Sequence, residues 1–327
     1  MIGLKLPERD FYITPIGKTI KTVEWHLFRG HCCQKGCLHC PYILNSQNFI
    51  EFNQRTQEQI QTSSVISLIP SMTETLIHAD VQVVGRTRFC IHPDEIVKRI
   101  PIVGGTKHFS VSPNQLNADF ILFDKEENTL EMSRQCANSN QIILHIENLI
   151  TFHNQLMNLA DILRAPKLEV FAKRLASILE FPPFKFQLWE DLPGLIEWWK
   201  KPQGSITDYE TVYVIWQNPW MSISEKTFIG SILKKIGMPK LYEFKTKSVT
   251  KNLKKSYERY PIFNIQDLPE KSLLLFSSEP YPFQKFKNNY LTSHYPYPAA
   301  LVDGTVFSWF GIRVIRFLED LYSTIRR

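Results

Sequence analysis

Seven short apolar runs constrain this chain more than any other feature: VISLI (65–69), VQVVG (81–85), DFILFD (119–124), QIILHI (141–146), TVYVIWQ (211–217), SLLLFSS (272–278) and AALVD (299–303). Each is too brief for a helix and lacks the alternation of a strand with one wet face, so all read as strands buried on both sides. Helical patterns lie between several of them. Pro166 is placed to open a helix at its first turn, and Leu168, Phe171, Leu175 and Ile178 give that helix one apolar face through residue 180. Residues 225–237 read as a helix ending at Gly237, and Val314, Leu318, Leu321 and Ile325 form one stripe at the end of the chain. Strand–helix alternation of this kind is the signature of parallel α/β units. The expected fold class is therefore α/β: two α/β lobes with parallel-type sheets flanked by helices, bridged by a single helix, with a small N-terminal Cys-rich module.

The expected boundaries are 1–45 for the Cys-rich module, 46–63 for a polar linker, 64–165 for the first lobe, 166–205 for the bridging helix and connection, and 206–327 for the second lobe. Residues 10–25 read as two short strands around a Pro-Ile-Gly-Lys turn. Ser71 and Glu74 have the spacing of a capping box for the helix after VISLI.

The 38 Lys and Arg against 32 Asp and Glu leave a net charge of +6, spread along the chain rather than gathered into the stripe that nucleic-acid binding requires. No apolar run is long enough to span a bilayer, so no membrane insertion is expected. The first residues lack a charged start followed by an apolar core and a cleavage site, so the expected setting is cytoplasmic. There, clustered cysteines serve metal binding or redox chemistry more often than disulfides. No P-loop, dinucleotide fingerprint or nucleophile–base pair is legible.

An ordered series of motifs carries a resemblance. SLIPSMTETL, VVGRTRFCIHP, IPIVGGTKHFS and EEN (126–128) follow one another in the first lobe. VIWQNPWMSISEKTFIGSIL, RYP, LFSSEPYPF and VDGTVFSWFGIR follow in the second. Residues 64–327 thereby resemble the helical-backbone class of ABC-transporter substrate-binding proteins, which take cobalamin, haem and iron chelates, and are nearest to its cobalamin-binding members. The resemblance implies two lobes joined by one rigid helix, here 166–180, with the ligand in the cleft between them. It also implies a non-catalytic binding protein, monomeric, whose ligand is cobalamin or a related corrinoid, tetrapyrrole or metal chelate. A large planar ligand needs aromatic walls and a few fixed polar groups. Trp216, Trp220, Trp309 and Phe310 are candidates for the walls, and core packing is the alternative for each; Tyr281 and Phe283 read as core or rim. Ser71 and Thr73 stand at a strand-to-helix turn, where ligand contact competes with helix capping. Gly105, Thr106, Lys107, Glu127 and Asn128 are further contacts that the resemblance implies, with Gly104 and Gly105 allowing close backbone approach. Cys90 and His92 have side chains suited to a chelated metal, or else serve as a small core residue and a hydrogen-bonded imidazole. Arg313 would pair with an anionic ligand group or with a carboxylate of the protein.

The chain departs from that family in two ways. It shows no export signal, and the two permease-docking positions of the family, acidic in transported members, fall near Ser112 and Gln266, with Asp267 adjacent to the latter. A permease partner is therefore not expected.

The N-terminal segment places Cys32, Cys33, Cys37 and Cys40 within nine residues, beside His26, His31 and His39. HLFRGHCCQKGCLHCPY resembles an uncharacterised cysteine-rich domain with no established activity to borrow. Cys37 and Cys40 have the spacing of a metal knuckle, and Cys33 lies at an allowed distance from them. A zinc ion or an iron–sulfur cluster would staple so short a module, and a redox dithiol is the alternative. Three functional classes follow: a small-molecule binding protein with an attached metal module, a metal- or redox-handling accessory enzyme using the Cys cluster, and a protein-binding scaffold with a degenerate cleft.

Overall fold

A computed structural model describes residues 11–13, 19–21, 62–244 and 259–324. The cysteine cluster of 32–40 and most of the expected linker lie outside these residues. The expected N-terminal strand pair is present: β1 (Phe11–Ile13) and β2 (Thr19–Lys21) run antiparallel, with Phe11 opposite Lys21.

The first large sheet is wholly parallel. It is built from β3 (Val65–Ser67), β4 (Val83–Thr87), β5 (Ile102–Gly104), β6 (Phe120–Asp124) and β7 (Gln141–Leu144), in the order β5-β4-β3-β6-β7. All of β3 is buried, as a central strand of a parallel sheet must be. Ile66, Leu68, Val103, Ile121, Phe123, Met132 and Cys136 pack one core beside it. The chain winds away from β3 first through β4 and β5, then in the other direction through β6 and β7. The order therefore reverses at β3 and β6, where the loops after neighbouring strands diverge and leave room for a ligand.

Helix α1 (Pro70–His78) follows β3, α2 (Asp94–Val97) follows β4, and α3 (Leu130–Gln135) follows β6. Pro70 supplies the first helical turn, where its missing N–H costs nothing. The capping-box reading fails here. The residue before the helix is Ile69, which makes no side-chain cap, and Ser71 and Glu74 are already inside the helix, both buried. Proline at the first helical position puts the cap at Ile69, two residues ahead of the serine.

Helices α4 (Leu149–Ile162) and α5 (Pro166–Leu179) come next. Leu168, Phe171, Leu175 and Ile178 of α5 are buried as their spacing predicts. So is Arg174, whose guanidinium forks onto both carboxylate oxygens of Glu319.

The second sheet is mixed rather than parallel throughout. Strands β9 (Glu210–Trp216), β11 (Ser272–Ser277) and β12 (Ala299–Val302) are parallel, while β8 (Leu195–Lys200) and β10 (Met221–Ser222) run antiparallel at the edges, in the order β10-β9-β11-β12-β8. Strand β8 falls in the stretch expected to be connection. Its sequence, LIEWWK, is split by Glu197, and only Trp199 faces the core fully. Helices α6 (Phe228–Lys235), α7 (Lys287–Thr292), α8 (Gly304–Ser308) and α9 (Ile312–Thr324) complete the chain. Gly237 ends the helical stretch at φ +74°, where a Cβ would strike the Phe184 carbonyl.

By compactness the chain divides into one unit of Met1–His145, His153–Glu180 and Ile315–Arg327 and a second of Ile146–Phe152 and Phe181–Val314. The division differs from boundaries placed at 165 and 205: α5 and the last helix group with the first unit, and β8 groups with the second. Among the described residues no helix is long and apolar enough to cross a membrane.

Candidate functional site

In the first unit every predicted segment emerges from the same edge of the parallel sheet. Ser71 and Thr73 follow β3, Cys90 and His92 follow β4, Gly105 to Lys107 follow β5, and Glu127 and Asn128 follow β6. These are the carboxyl ends of the strands. Open α/β sheets present their ligand loops there.

The structure separates these residues by where their side chains go. Thr73 is fully buried, and its hydroxyl lies 2.8 Å from Ser67 Oγ, 3.0 Å from the Ile69 carbonyl and 3.1 Å from Cys90 Sγ. Cys90 is also fully buried and lies 3.2 Å from Thr87 Oγ1. Burial pushes the Cys90 thiol up, against the opposing hydrogen bonds of Thr73 and Thr87. Both side chains are thus committed to a buried hydroxyl–thiol cluster behind the loop, and neither reaches a ligand as drawn from the sequence.

The residues on either side of Cys90 do the opposite. Phe89 is 46% exposed and Ile91 52% exposed, and Arg88 is exposed beside them with its guanidinium 4.9 Å from the Phe89 ring centre. Sequence reasoning missed all three. No alternation marks them: the strand ends at Thr87, the chain turns at Arg88 and Phe89, which both face outward, and Cys90 returns to the core. His92 is half-buried at the end of this loop. Arg86 holds the loop from within. Its buried guanidinium donates to the carbonyls of Val97 (2.7 Å), Ile100 (3.1 Å), Thr87 (3.2 Å) and Cys90 (3.1 Å).

After β5 the indispensable glycine is Gly104, since a Cβ there would lie 2.4 Å from the His108 carbonyl oxygen. Gly105 is buried, and its N–H bonds that same carbonyl at 3.0 Å, so this pair serves the chain's own turn rather than a ligand's approach. Lys107 is exposed and donates to the Glu127 carbonyl. Asn128 joins the two loops: its Oδ1 accepts from the Asp124 N–H at 2.7 Å and its Nδ2 donates to the Thr106 carbonyl at 2.9 Å. Its amide is used internally, which makes it a positioning residue. Asp124, buried at the end of β6, accepts from the Glu126 and Glu127 N–H groups at 2.7 and 2.8 Å. Desolvation nevertheless holds its carboxyl above the usual range. Desolvation, then the Asp124 charge, raises Glu127 to about 7 against the pull of Lys107. Glu127 nevertheless keeps an exposed surface.

In the second unit Trp216 ends β9 and is 43% exposed, set edge-on to Tyr281 at 5.2 Å between ring centres. The Tyr281 hydroxyl donates to Gln217 Oε1 at 3.1 Å. Trp309 and Arg313 are half-buried, the guanidinium 5.3 Å from the indole ring centre and 3.4 Å from Thr305 Oγ1. Trp220 is different: half-buried, it packs on Phe263, Phe276, Phe283 and Phe286 against the core. Phe310 is buried, against Phe152 and Phe228. A tryptophan directly after a proline carries no sequence mark that separates wall from core.

Ser112 and Gln266 are exposed beside and within single 3₁₀ turns, Pro113–Gln115 and Ile265–Asp267. Among the described residues no three His, Cys, Asp or Glu side chains gather so as to hold a metal ion.

Comparison with known proteins bears on this arrangement. Solved structures match over most of the chain, among them the following three. The periplasmic vitamin B12-binding protein BtuF of Vibrio cholerae matches at 13% identity and TM-score 0.51, covering 81% of this chain and 98% of that one. An ABC transporter substrate-binding protein from Listeria monocytogenes EGD-e matches at 14% and 0.55, covering 80% and 97%. S. aureus IsdE, complexed with heme, matches at 15% and 0.55, covering 80% and 98%. The fold is that of a substrate-binding protein. At these identities the likeness is one of fold, and the residues must carry the rest. Residues 5–46, which contain the cysteine cluster, match a family of unknown function (DUF5522). No curated protein sequence matches the chain.

Proposed function

We propose that this chain is a non-catalytic binding protein for a planar metal chelate of the corrinoid or tetrapyrrole class, cobalamin among them. The observation that carries the proposal is the sorting of side chains at the carboxyl edge of the first sheet. Inward residues such as Thr73, Cys90 and Asn128 fix the loops, while Arg88, Phe89, Ile91 and Lys107 stand outward on them. An apolar and cationic surface on a stiffened frame suits a large ligand with a flat face and a polar rim. Trp216 and Tyr281 give the second unit an aromatic pair at the carboxyl edge of its own sheet. Fold relatives whose names include vitamin B12 and heme binding support the ligand class.

Zinc held by Cys32, Cys33, Cys37 and Cys40, or an iron–sulfur cluster in its place, belongs to the same proposal, as does a cytoplasmic setting without a permease partner. Four thiols in nine positions suit a metal in a reducing compartment better than disulfides. Titration of anaerobically purified full-length protein with cobalamin and with iron protoporphyrin IX, followed by absorbance, tests the ligand. A saturable spectral shift with thermal stabilisation is expected for at least one of them, and no shift with either overturns the reading. Elemental analysis of the same sample, expected to give about one zinc per chain, tests the module. Cell fractionation tests the compartment.

A further inference from the structure

The geometry points to an acid-recognising subsite on the first unit, in which Arg88 and His108 take a carboxylate at the rim of the ligand while Phe89 backs its apolar body. This inference rests on the binding reading above and narrows it, from any planar chelate to one that carries free carboxylates.

Three exposed side chains from two different loops converge at one point. The position of a Cβ on Gly105 would lie 3.6 Å from His108 Cε1, 3.6 Å from Phe89 Cε2 and 3.9 Å from Arg88 Nε. Gly105 is buried beneath them, and Arg88, Phe89 and His108 are each exposed above it. The three therefore form one continuous surface of guanidinium, aromatic ring and imidazole. Arg88 lies against the Phe89 ring and forms no ion pair among the described residues. Its neighbours differ: Arg86 is bound to four carbonyls, and Lys107 is held to the Glu127 loop. Arg88 is thus the cation of this edge whose fork stays available.

The acidic groups nearby do not fill that role. Asp124 is tied to the N–H groups of its own loop, and Glu126 lies 3.5 Å from His145 Nε2. Glu127 follows on the same loop, its backbone carbonyl accepting from Lys107. A planar guanidinium presents two parallel N–H groups to a carboxylate, a match that an amide at the same place does not offer. The adjacent ring covers the apolar part of a ligand that such a pair would anchor.

The test compares iron protoporphyrin IX, which carries two carboxylates, with its dimethyl ester, which carries none, on full-length protein. The free acid is expected to bind at least about tenfold more tightly. Arg88→Gln should bring the two affinities within about twofold, chiefly by weakening the acid, and His108→Gln should reduce the preference in part. Arg134→Gln, an exposed charge on α3 that pairs only loosely with Glu131, controls for net charge and should leave the preference intact. Equal affinities in the unaltered protein, or a preference that Arg88→Gln leaves unchanged, would overturn the subsite while the binding function stands. If neither the acid nor the ester nor cobalamin binds, the function and the subsite fall together.

Discussion

Replacing Asn128 tests whether the ligand-facing loops are held in place by the hydrogen bonds described. The Asn128 amide accepts from the Asp124 N–H and donates to the Thr106 carbonyl, at 2.7 and 2.9 Å. Asn128→Ala removes both bonds and orphans the N–H of Asp124, a residue only 3% exposed. Each such bond contributes about 1 kcal/mol net, and the half-buried position lets water reach part of what is lost. The expected cost is therefore about 2 kcal/mol, or roughly 4–8 °C in Tm for a domain of this size. Asn128→Asp keeps the shape and the acceptor but loses the donor. It also sets a second carboxylate beside Asp124, whose own carboxyl is already raised by burial. That variant should be unstable at neutral pH and recover as the pH falls and the new carboxyl takes a proton. Urea unfolding followed by circular dichroism, with the m-value checked for constancy, measures both variants. A loss below about 0.5 kcal/mol for the alanine variant, or an aspartate variant that tracks it at every pH, would refute the loop-pin argument.

The Cys90 thiol, buried among hydroxyls and held protonated, should stay unreactive toward a thiol reagent at pH 8 in the folded protein. Its labelling should then follow the unfolding curve of the first unit, as peptide mapping would show. Glu319→Gln should destabilise by roughly 2–3 kcal/mol by leaving the buried Arg174 charge short of its partner, whereas the double change Arg174→Met, Glu319→Leu should recover most of that loss. Burial lowers Lys235 from its ordinary 10.5 to about 8, so the folded state gives up this proton sooner than the unfolded chain. Stability should accordingly rise between pH 8 and 10.5, and Lys235→Met should flatten that rise in a series of urea melts.

How much of this was legible in the sequence depended on whether the deciding interaction was local. The apolar runs became strands because each was long enough to cross a buried sheet, and a motif that begins where such a run stops lands at a carboxyl edge. Ser71, His92, Lys107 and Glu127, singled out through the family resemblance rather than through spacing, each lie just beyond such a run. Side-chain direction within those motifs was harder. Cys90 and Phe89 adjoin in sequence, and it is the turn at Arg88 and Phe89, closed by the Cys90 N–H on the Thr87 carbonyl, that sends one inward and the other out. Asn128 was read as a contact because its amide partners are the backbone of Thr106, twenty-two residues away, and the start of its own loop. Trp220 and Trp216 look alike in the sequence, yet the first lies among phenylalanines contributed by distant segments. Strand β8 escaped notice because its partner, β12, comes about a hundred residues later.

The segment from Arg86 to Ile91 divides its labour residue by residue. Arg86 and Cys90 bind the frame, and Arg88, Phe89 and Ile91 stand on it. A loop so held has already lost its conformational freedom before any ligand arrives, so association need not wait for it to order, and affinity would be set by how fast ligands leave. Such a frame also separates two selective pressures that are usually entangled. The outward residues can be exchanged one at a time, shifting the preference for one chelate over another, while the inward ones keep the same backbone underneath.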